Sequence, residues 1–205
     1  GHHLNRVHWN EVTAIFGGTF DPPHLGHLQA ALELVSHPGV RQVLVLPSRC
    51  PPLKDTLTSF DDRFEMTRIL FEEASLSFPI EVKDPHFFAK LERDYTFLLL
   101  QEIQKTIPKT AFVIGADQLE LLPKWYRFPD VLNQTHWIVL TRKPHGEEIA
   151  GRHLQQWVLS GLLSPLGSQN EYVIKGSSGS EKMLKTVPTL APALASSDIR
   201  KAIAL

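Results

Sequence analysis

A short apolar run, Val12-Thr13-Ala14-Ile15-Phe16, ends abruptly at Gly17-Gly18 and gives way to an amphipathic segment from Leu25, and that order limits the chain more than any other feature. An apolar run of this length that breaks at paired glycines reads as a buried strand entering a turn. Leu25, Leu28, Leu32 and Val35 then recur at intervals of three and four, which is helical spacing, until His37-Pro38-Gly39 stops them. Val43-Leu44-Val45-Leu46 is the next buried strand. A strand, turn, helix and strand in this order form the crossover unit of a parallel sheet. Gly17-Gly18 then lies at the carboxyl end of the first strand, where open α/β sheets bind their ligands.

The alternation continues. A helix is expected over 61–73, a short strand at Ile80-Glu81-Val82, a helix over 96–106 and strands at 111–114 and 137–140. A further helix is expected over 154–163, a last strand at 172–174 and a terminal helix over 196–205 with Ser196 or Ser197 near its N-cap. Residues 164–192 are dense in Gly, Ser and Pro, notably Gly176-Ser177-Ser178-Gly179-Ser180, and read as a mobile loop. The expected fold is α/β, a Rossmann-like open and mostly parallel sheet with helices on both faces. With no repeat and no linker, residues 1–205 read as a single domain. Residues 1–10 read as a tag remnant or a flexible N-terminus, and 145–193 as a variable region.

Composition removes several classes of function. Hydrophobic residues make up 42% of the 205 and charged residues 21%, so the chain can bury a core and is not disordered. Lys and Arg number 21 against 22 Asp and Glu, a net charge of −1 with no long basic stretch, which disfavours nucleic acid as a partner. Any anion must be held by a local site. Cys50 is the one cysteine, read as a small apolar filler, and it fits a reducing cytoplasm. No signal-like h-region or long apolar stretch is present, so neither secretion nor a membrane partner is expected. A homo-oligomer stays open.

The segment Gly17-Gly18-Thr19-Phe20-Asp21-Pro22-Pro23-His24-Leu25-Gly26-His27-Leu28 carries the chemistry. Glycines let a phosphate approach the backbone, and the following helix offers free N–H groups and the positive end of its dipole. His24 and His27, three apart at the mouth of that helix, can face one way and donate hydrogen bonds to phosphate oxygens as charge builds on a leaving group. Gly26 between them lets a bulky ligand lie against the helix. A zinc site on the two imidazoles is the competing reading; it has no third ligand nearby apart from Asp21.

This segment resembles the (T/H)xGH signature of the nucleotidyltransferase superfamily, which includes the cytidylyltransferases and the pyridine-nucleotide adenylyltransferases. Further segments resemble bacterial nicotinate-mononucleotide adenylyltransferases. Leu46-Pro47 with Pro51-Pro52-Leu53-Lys54 is similar to their P-x-x-x-P-P-H-K stretch, and Tyr95-Thr96 to a Y-(T/S) pair that opens a helix. Ile114-Gly115-Ala116-Asp117 followed by Trp125 is similar to I-G-x-D…W, and 194–200 to I-S-S-T-x-I-R. Leu53 departs from the usual histidine, Leu194-Ala195 from Ile-Ser and Ser197 from Thr. The chain also stops five residues after Arg200, where the family continues through another helix, an end expected to weaken the last motif or alter assembly.

The resemblance implies transfer of AMP from ATP to nicotinate mononucleotide, giving nicotinate adenine dinucleotide and pyrophosphate, with Mg²⁺ held mainly by the ATP phosphates and no protein metal ligands. It makes His24 and His27 catalytic and places ATP against Gly17, Gly18, Thr19, Phe20 and Gly26. Gly115, Asp117 and Arg142, and later Ser196, Ser197, Ile199 and Arg200, join the ATP side. Lys54, Tyr95, Thr96 and Trp125 fall on the acceptor side. Trp125 offers a flat face for a pyridinium ring or, alternatively, is a core tryptophan. Asp117 accepts from ribose hydroxyls or caps the next helix, and Arg200 holds phosphate or sits exposed on a capped helix. Rival readings are a nicotinamide-mononucleotide or other phosphate acceptor, and a catalytically silent nucleotide-binding module.

Overall fold

The computed structural model describes residues 11–49, 58–167, 170–176 and 181–190. Strand β1 (Val12–Gly18) leads into helix α1 (Leu25–Ser36) and strand β2 (Val40–Pro47). Helix α2 (Phe60–Ser77) and strand β3 (Ile80–Val82) follow, then α3 (Thr96–Ile103) and β4 (Thr110–Gly115). Strand β5 (His136–Arg142), helix α4 (Gly146–Leu159) and strands β6 (Leu163–Pro165), β7 (Glu171–Ile174) and β8 (Lys182–Thr189) complete the order.

Local chemistry sets these boundaries. Ser59 caps α2 by accepting from the Asp62 N–H at 3.2 Å, and Asp61 and Asp62 in the first turn favour the positive end of its dipole. Helix α1 ends at His37, whose extended backbone (φ −70°, ψ 132°) is what a residue before proline adopts. Gly161, at φ +86°, lies in the turn that leaves α4.

The eight strands form one sheet in the order β3-β2-β1-β4-β5-β8-β7-β6. All neighbours from β3 to β8 are parallel, and β7 and β6 close the far side as an antiparallel pair. The chain winds outward from β1 through β2 to β3, then returns to lay β4 and β5 on the opposite side of β1. That reversal puts a crevice at the carboxyl ends of β1 and β4.

Period-two alternation divides the core between the faces. Val12, Ala14 and Phe16 of β1 pack with Ala30, Ala31 and Leu34 of α1 and Phe71 of α2. Ile15 points the other way, to Leu99, Leu100 and Ile103 of α3 and Leu154 and Trp157 of α4. Phe71 is fully buried, and burial of such a side chain stabilises by about 2–3 kcal/mol. Trp137 of β5 is also fully buried and meets its one polar demand by donating its indole N–H to the Leu132 carbonyl at 2.9 Å.

The structure differs from the sequence reading mainly after residue 145. Helix α4 begins at Gly146, not Leu154, because Ile149, Ala150, Leu154 and Trp157 form one core-facing stripe that outweighs the low helix propensity of Gly146 and Gly151. The stretch read as a loop contains β8, which pairs along β5 from Trp137 to Arg142. Its lysines and Pro188 hide it in the sequence. Lys185 buries its stem and sets its ammonium 3.7 Å from Glu171 of β7. Pro188 lies beyond the end of β7, where one side of β8 is unpaired by that strand, so its missing N–H costs no bond to it. Among the described residues, no helix is long and apolar enough to cross a membrane.

Candidate active site

Two cavities open at the carboxyl ends of the parallel strands. The larger, about 670 Å³, is walled by Gly17–Pro22, His24, His27, Val113–Gln118 and the segment from Arg142 to Gly146. The smaller, about 240 Å³, is walled by Ser48, Asp94–Thr96, Phe112 and Leu121 to Tyr126 in part. Gly17, Gly18, Thr19, Val113 and Gln118 line both, so the cavities meet along the end of β1.

His24 is the N-cap of α1, and its Nδ1 accepts the Gly26 N–H at 3.1 Å. The His27 Nδ1 in turn accepts the His24 N–H at 3.0 Å. This is a capping box built from two imidazoles. Each Nδ1 is an acceptor, so each neutral ring must carry its proton on Nε2. The rings stack with centroids 3.9 Å apart at 26°, and Phe20 leans on His27 at 4.7 Å. Burial, and then the Arg142 charge, push the His24 imidazole below its usual range. Burial, His24 and Arg142 together push His27 down to about 3. The pair is neutral at pH 7 and presents N–H donors, while Arg142 at the end of β5 supplies the positive charge. With both Nδ1 atoms engaged by the backbone, and no cluster of three or more metal-ligating side chains among the described residues, the zinc reading has no donor set here.

These shifts have a consequence for stability. A histidine held below 6.5 in the fold stays neutral while its unfolded counterpart takes up a proton, so stability falls as pH drops below about 6.5. His136, pushed down to about 4 by burial and by Lys182, Lys185 and Lys109, acts in the same direction as His27. Between pH 6.5 and about 4, each is expected to remove up to about 1.4 kcal/mol per pH unit. Urea midpoints at pH 7 and pH 4.5 measure the loss, and His27→Gln and His136→Gln should each flatten it. A pH dependence unchanged by both substitutions would contradict this account.

The other sequence-predicted residues separate into four groups. Gly17, Gly18, Thr19, Phe20, Gly115, Asp117 and Arg142 share the larger cavity with the histidines. Asp117 is exposed and folds back over Gly115, where a Cβ would meet its Oδ1 at 2.7 Å, so a side chain at 115 would push the carboxylate aside. Gly26 is buried inside the first turn of α1, behind the cavity wall. Tyr95, Thr96 and Trp125 line the smaller cavity. Trp125 borders the cavity and also packs edge-on against Phe112 at 6.1 Å and tilted against Trp137 at 6.0 Å. Thr96 opens α3, which has no side-chain N-cap bond. Lys54, Ser196, Ser197, Ile199 and Arg200 lie outside the described residues, as does Cys50.

The structure adds residues that periodicity did not flag. Tyr126 stacks on Tyr95 at 4.7 Å and 23°, and both line the smaller cavity. Asp94 accepts from the Ser48 hydroxyl at 3.0 Å and the Arg49 N–H at 2.6 Å, and Arg49 forks onto Asp84 at 2.7 and 2.6 Å. Gln118 stands where the cavities join. The only sequence signal for Asp94 and Tyr126 is adjacency to Tyr95 and Trp125.

The chain is similar to known proteins over most of its length. A family profile described as Cytidylyltransferase-like matches residues 15–202. A probable nicotinate-nucleotide adenylyltransferase of Listeria innocua is 33% identical over 139 residues, covering 66% of this chain and 72% of that protein. The nicotinate-nucleotide adenylyltransferase of Bacillus subtilis is 36% identical over 135 residues, covering 62% and 68%. Among solved structures, Plasmodium falciparum nicotinic acid mononucleotide adenylyltransferase complexed with NaAD superposes with a TM-score of 0.66 at 21% identity, over 94% of this chain and 83% of that one, a likeness of fold.

Proposed function

From a chain that belongs to the cytidylyltransferase-like family, on its nicotinate-nucleotide adenylyltransferase branch, we propose an enzyme that joins AMP from ATP to nicotinate mononucleotide, releasing nicotinate adenine dinucleotide and pyrophosphate. The observation that carries this reading is the shared wall. Two cavities meet at Gly17–Thr19, Val113 and Gln118, one beside the stacked histidines and Arg142, the other beside Thr96 and the aromatic group around Trp125. A reaction that joins two nucleotides through their phosphates needs two sites that open on each other at one point.

In this scheme ATP occupies the larger cavity and the mononucleotide the smaller. The mononucleotide phosphate attacks the α-phosphorus in line, forming the new P–O bond as the bond to pyrophosphate breaks. His24 and His27 donate from Nε2 to the phosphate oxygens, and Arg142 offsets the developing charge. Donors fixed by backbone hydrogen bonds need no reorganisation as the charge moves. The uncapped first turn of α3 beside Thr96 suits the nicotinate carboxylate. The described walls hold no cage of three or more carboxylates or imidazoles, which fits Mg²⁺ entering on the triphosphate with water completing its shell. When bound, Mg²⁺ neutralises part of the triphosphate charge.

Pyrophosphate release with ATP and Mg²⁺ tests the proposal, with nicotinate mononucleotide, nicotinamide mononucleotide and phosphopantetheine compared as acceptors. Marked preference for nicotinate mononucleotide is expected. Equal turnover of the two pyridine mononucleotides would remove the carboxylate role of α3, and ATP binding without turnover of any acceptor would return the protein to a nucleotide-binding module.

A further inference from the structure

Arg63, on the first turns of α2, is 1% exposed and lines neither cavity. Its Nη1 donates to the Thr19 carbonyl at 2.9 Å and to the Ser48 carbonyl at 2.7 Å, and its Nε donates to the Thr58 carbonyl at 3.0 Å. One guanidinium therefore ties the ends of β1 and β2 to the start of α2. The Ser48 N–H closes the arrangement on the Gly18 carbonyl at 2.8 Å. Thr19 lines both cavities and Ser48 the smaller one.

The peptide geometry gives this contact a direction. Carbonyl and N–H point oppositely across a trans peptide. Holding the Ser48 carbonyl on Arg63 accordingly sends the Arg49 N–H the other way, and it is found on Asp94 at 2.6 Å. By the same geometry, the Thr19 carbonyl on Arg63 turns the Phe20 N–H away from the guanidinium; Thr19 and Phe20 both wall the larger cavity. Among the described residues that N–H has no hydrogen-bond partner. Phe20 also sits at φ +52°, a left-handed conformation unusual for phenylalanine that persists only where its surroundings impose it. Its ring is 3% exposed, clamped against Phe16 and His27, and the preceding carbonyl is fixed by Arg63.

We propose that Arg63 is a positioning residue that sets the common wall of the two substrate cavities by holding the Thr19 and Ser48 carbonyls on one buried guanidinium. It touches neither substrate. It couples the two sites because a shift of the fork moves Thr19, which walls both cavities, and Ser48, on the acceptor side, together. Lysine cannot replace it, since a single ammonium cannot reach three carbonyls from the plane of a fork. The inference rests on the two-substrate reading above.

The test compares wild-type, Arg63→Lys and Arg63→Gln enzymes for pyrophosphate release, varying ATP and mononucleotide separately, beside thermal unfolding and active-site titration. Both variants are expected to raise KM for ATP and for the mononucleotide, each by at least about 10-fold, with Lys giving no rescue. Unchanged KM values with a lower melting temperature or active fraction would make Arg63 merely structural and overturn the proposal; a rise in only one KM would overturn the coupling. Should the variants not fold, the Arg63 Nε–H resonance of the wild-type protein decides. It should shift on adding a non-hydrolysable ATP analogue alone and the mononucleotide alone, and insensitivity to either sinks the idea. A wild-type enzyme that turns over no acceptor would instead sink the functional reading.

Discussion

Replacing His24 with alanine is expected to lower kcat by about 10²–10³-fold, the usual cost of one fixed donor to a developing oxyanion. The loss of stability should be small by comparison. Alanine removes the acceptor for the Gly26 N–H, an N-cap bond at 3.1 Å, and such a cap contributes about 1 kcal/mol. The bond from the residue-24 N–H to the His27 Nδ1 is a backbone contact and survives the substitution. His24→Asn separates the two effects, because asparagine is a good N-cap yet carries no Nε2–H on an imidazole. It should regain most of the melting temperature and little of the activity. Near-normal turnover in either variant, measured as pyrophosphate release, would remove His24 from the chemistry.

Trp125→Ala should act on the acceptor. Stacking of a base on an aromatic side chain contributes about 1–3 kcal/mol, so KM for the mononucleotide is expected to rise by roughly 10- to 100-fold with KM for ATP little changed. The indole also packs on Phe112 and Trp137, and its truncation should cost roughly 2–3 kcal/mol of stability. Trp125→Phe keeps a flat face and should fall between wild type and alanine in KM. An equal rise in both KM values would assign Trp125 to the core alone. Substrate-varied kinetics together with a denaturant midpoint distinguish these outcomes.

Legibility in the sequence followed the range of the interactions concerned. The first strand, its turn and helix α1 were readable because each depends on neighbours within a few residues: an apolar run, paired glycines, and leucines three or four apart. The strands β4 and β5 were readable for the same reason, being buried on both faces and therefore continuously apolar. Strand β8 was not. Its place depends on pairing with β5, 47 residues earlier, and on Glu171 accepting the charge of a half-buried lysine. Helix α4 was shortened in the sequence reading because Gly146 and Gly151 speak locally against a helix, while the core contacts that favour it are distant.

The same division runs through the candidate site. Sequence alone determined that residues 17–28 carry a strand through a turn into a helix and that two histidines share the helix mouth, while resemblance to the family's motifs singled out Tyr95, Asp117 and Trp125. Those features are set by local spacing and by a compact motif. Only the tertiary structure decided that both imidazoles are neutral Nε2–H donors, since that depends on which backbone N–H each Nδ1 accepts and on burial beneath Phe20. Only it brought Arg63 beneath Thr19 and Ser48, and Gln118 to the junction of the two cavities. A hydrogen bond across forty-four positions leaves no periodic trace in a chain; it exists once the sheet has set the ends of β1 and β2 side by side.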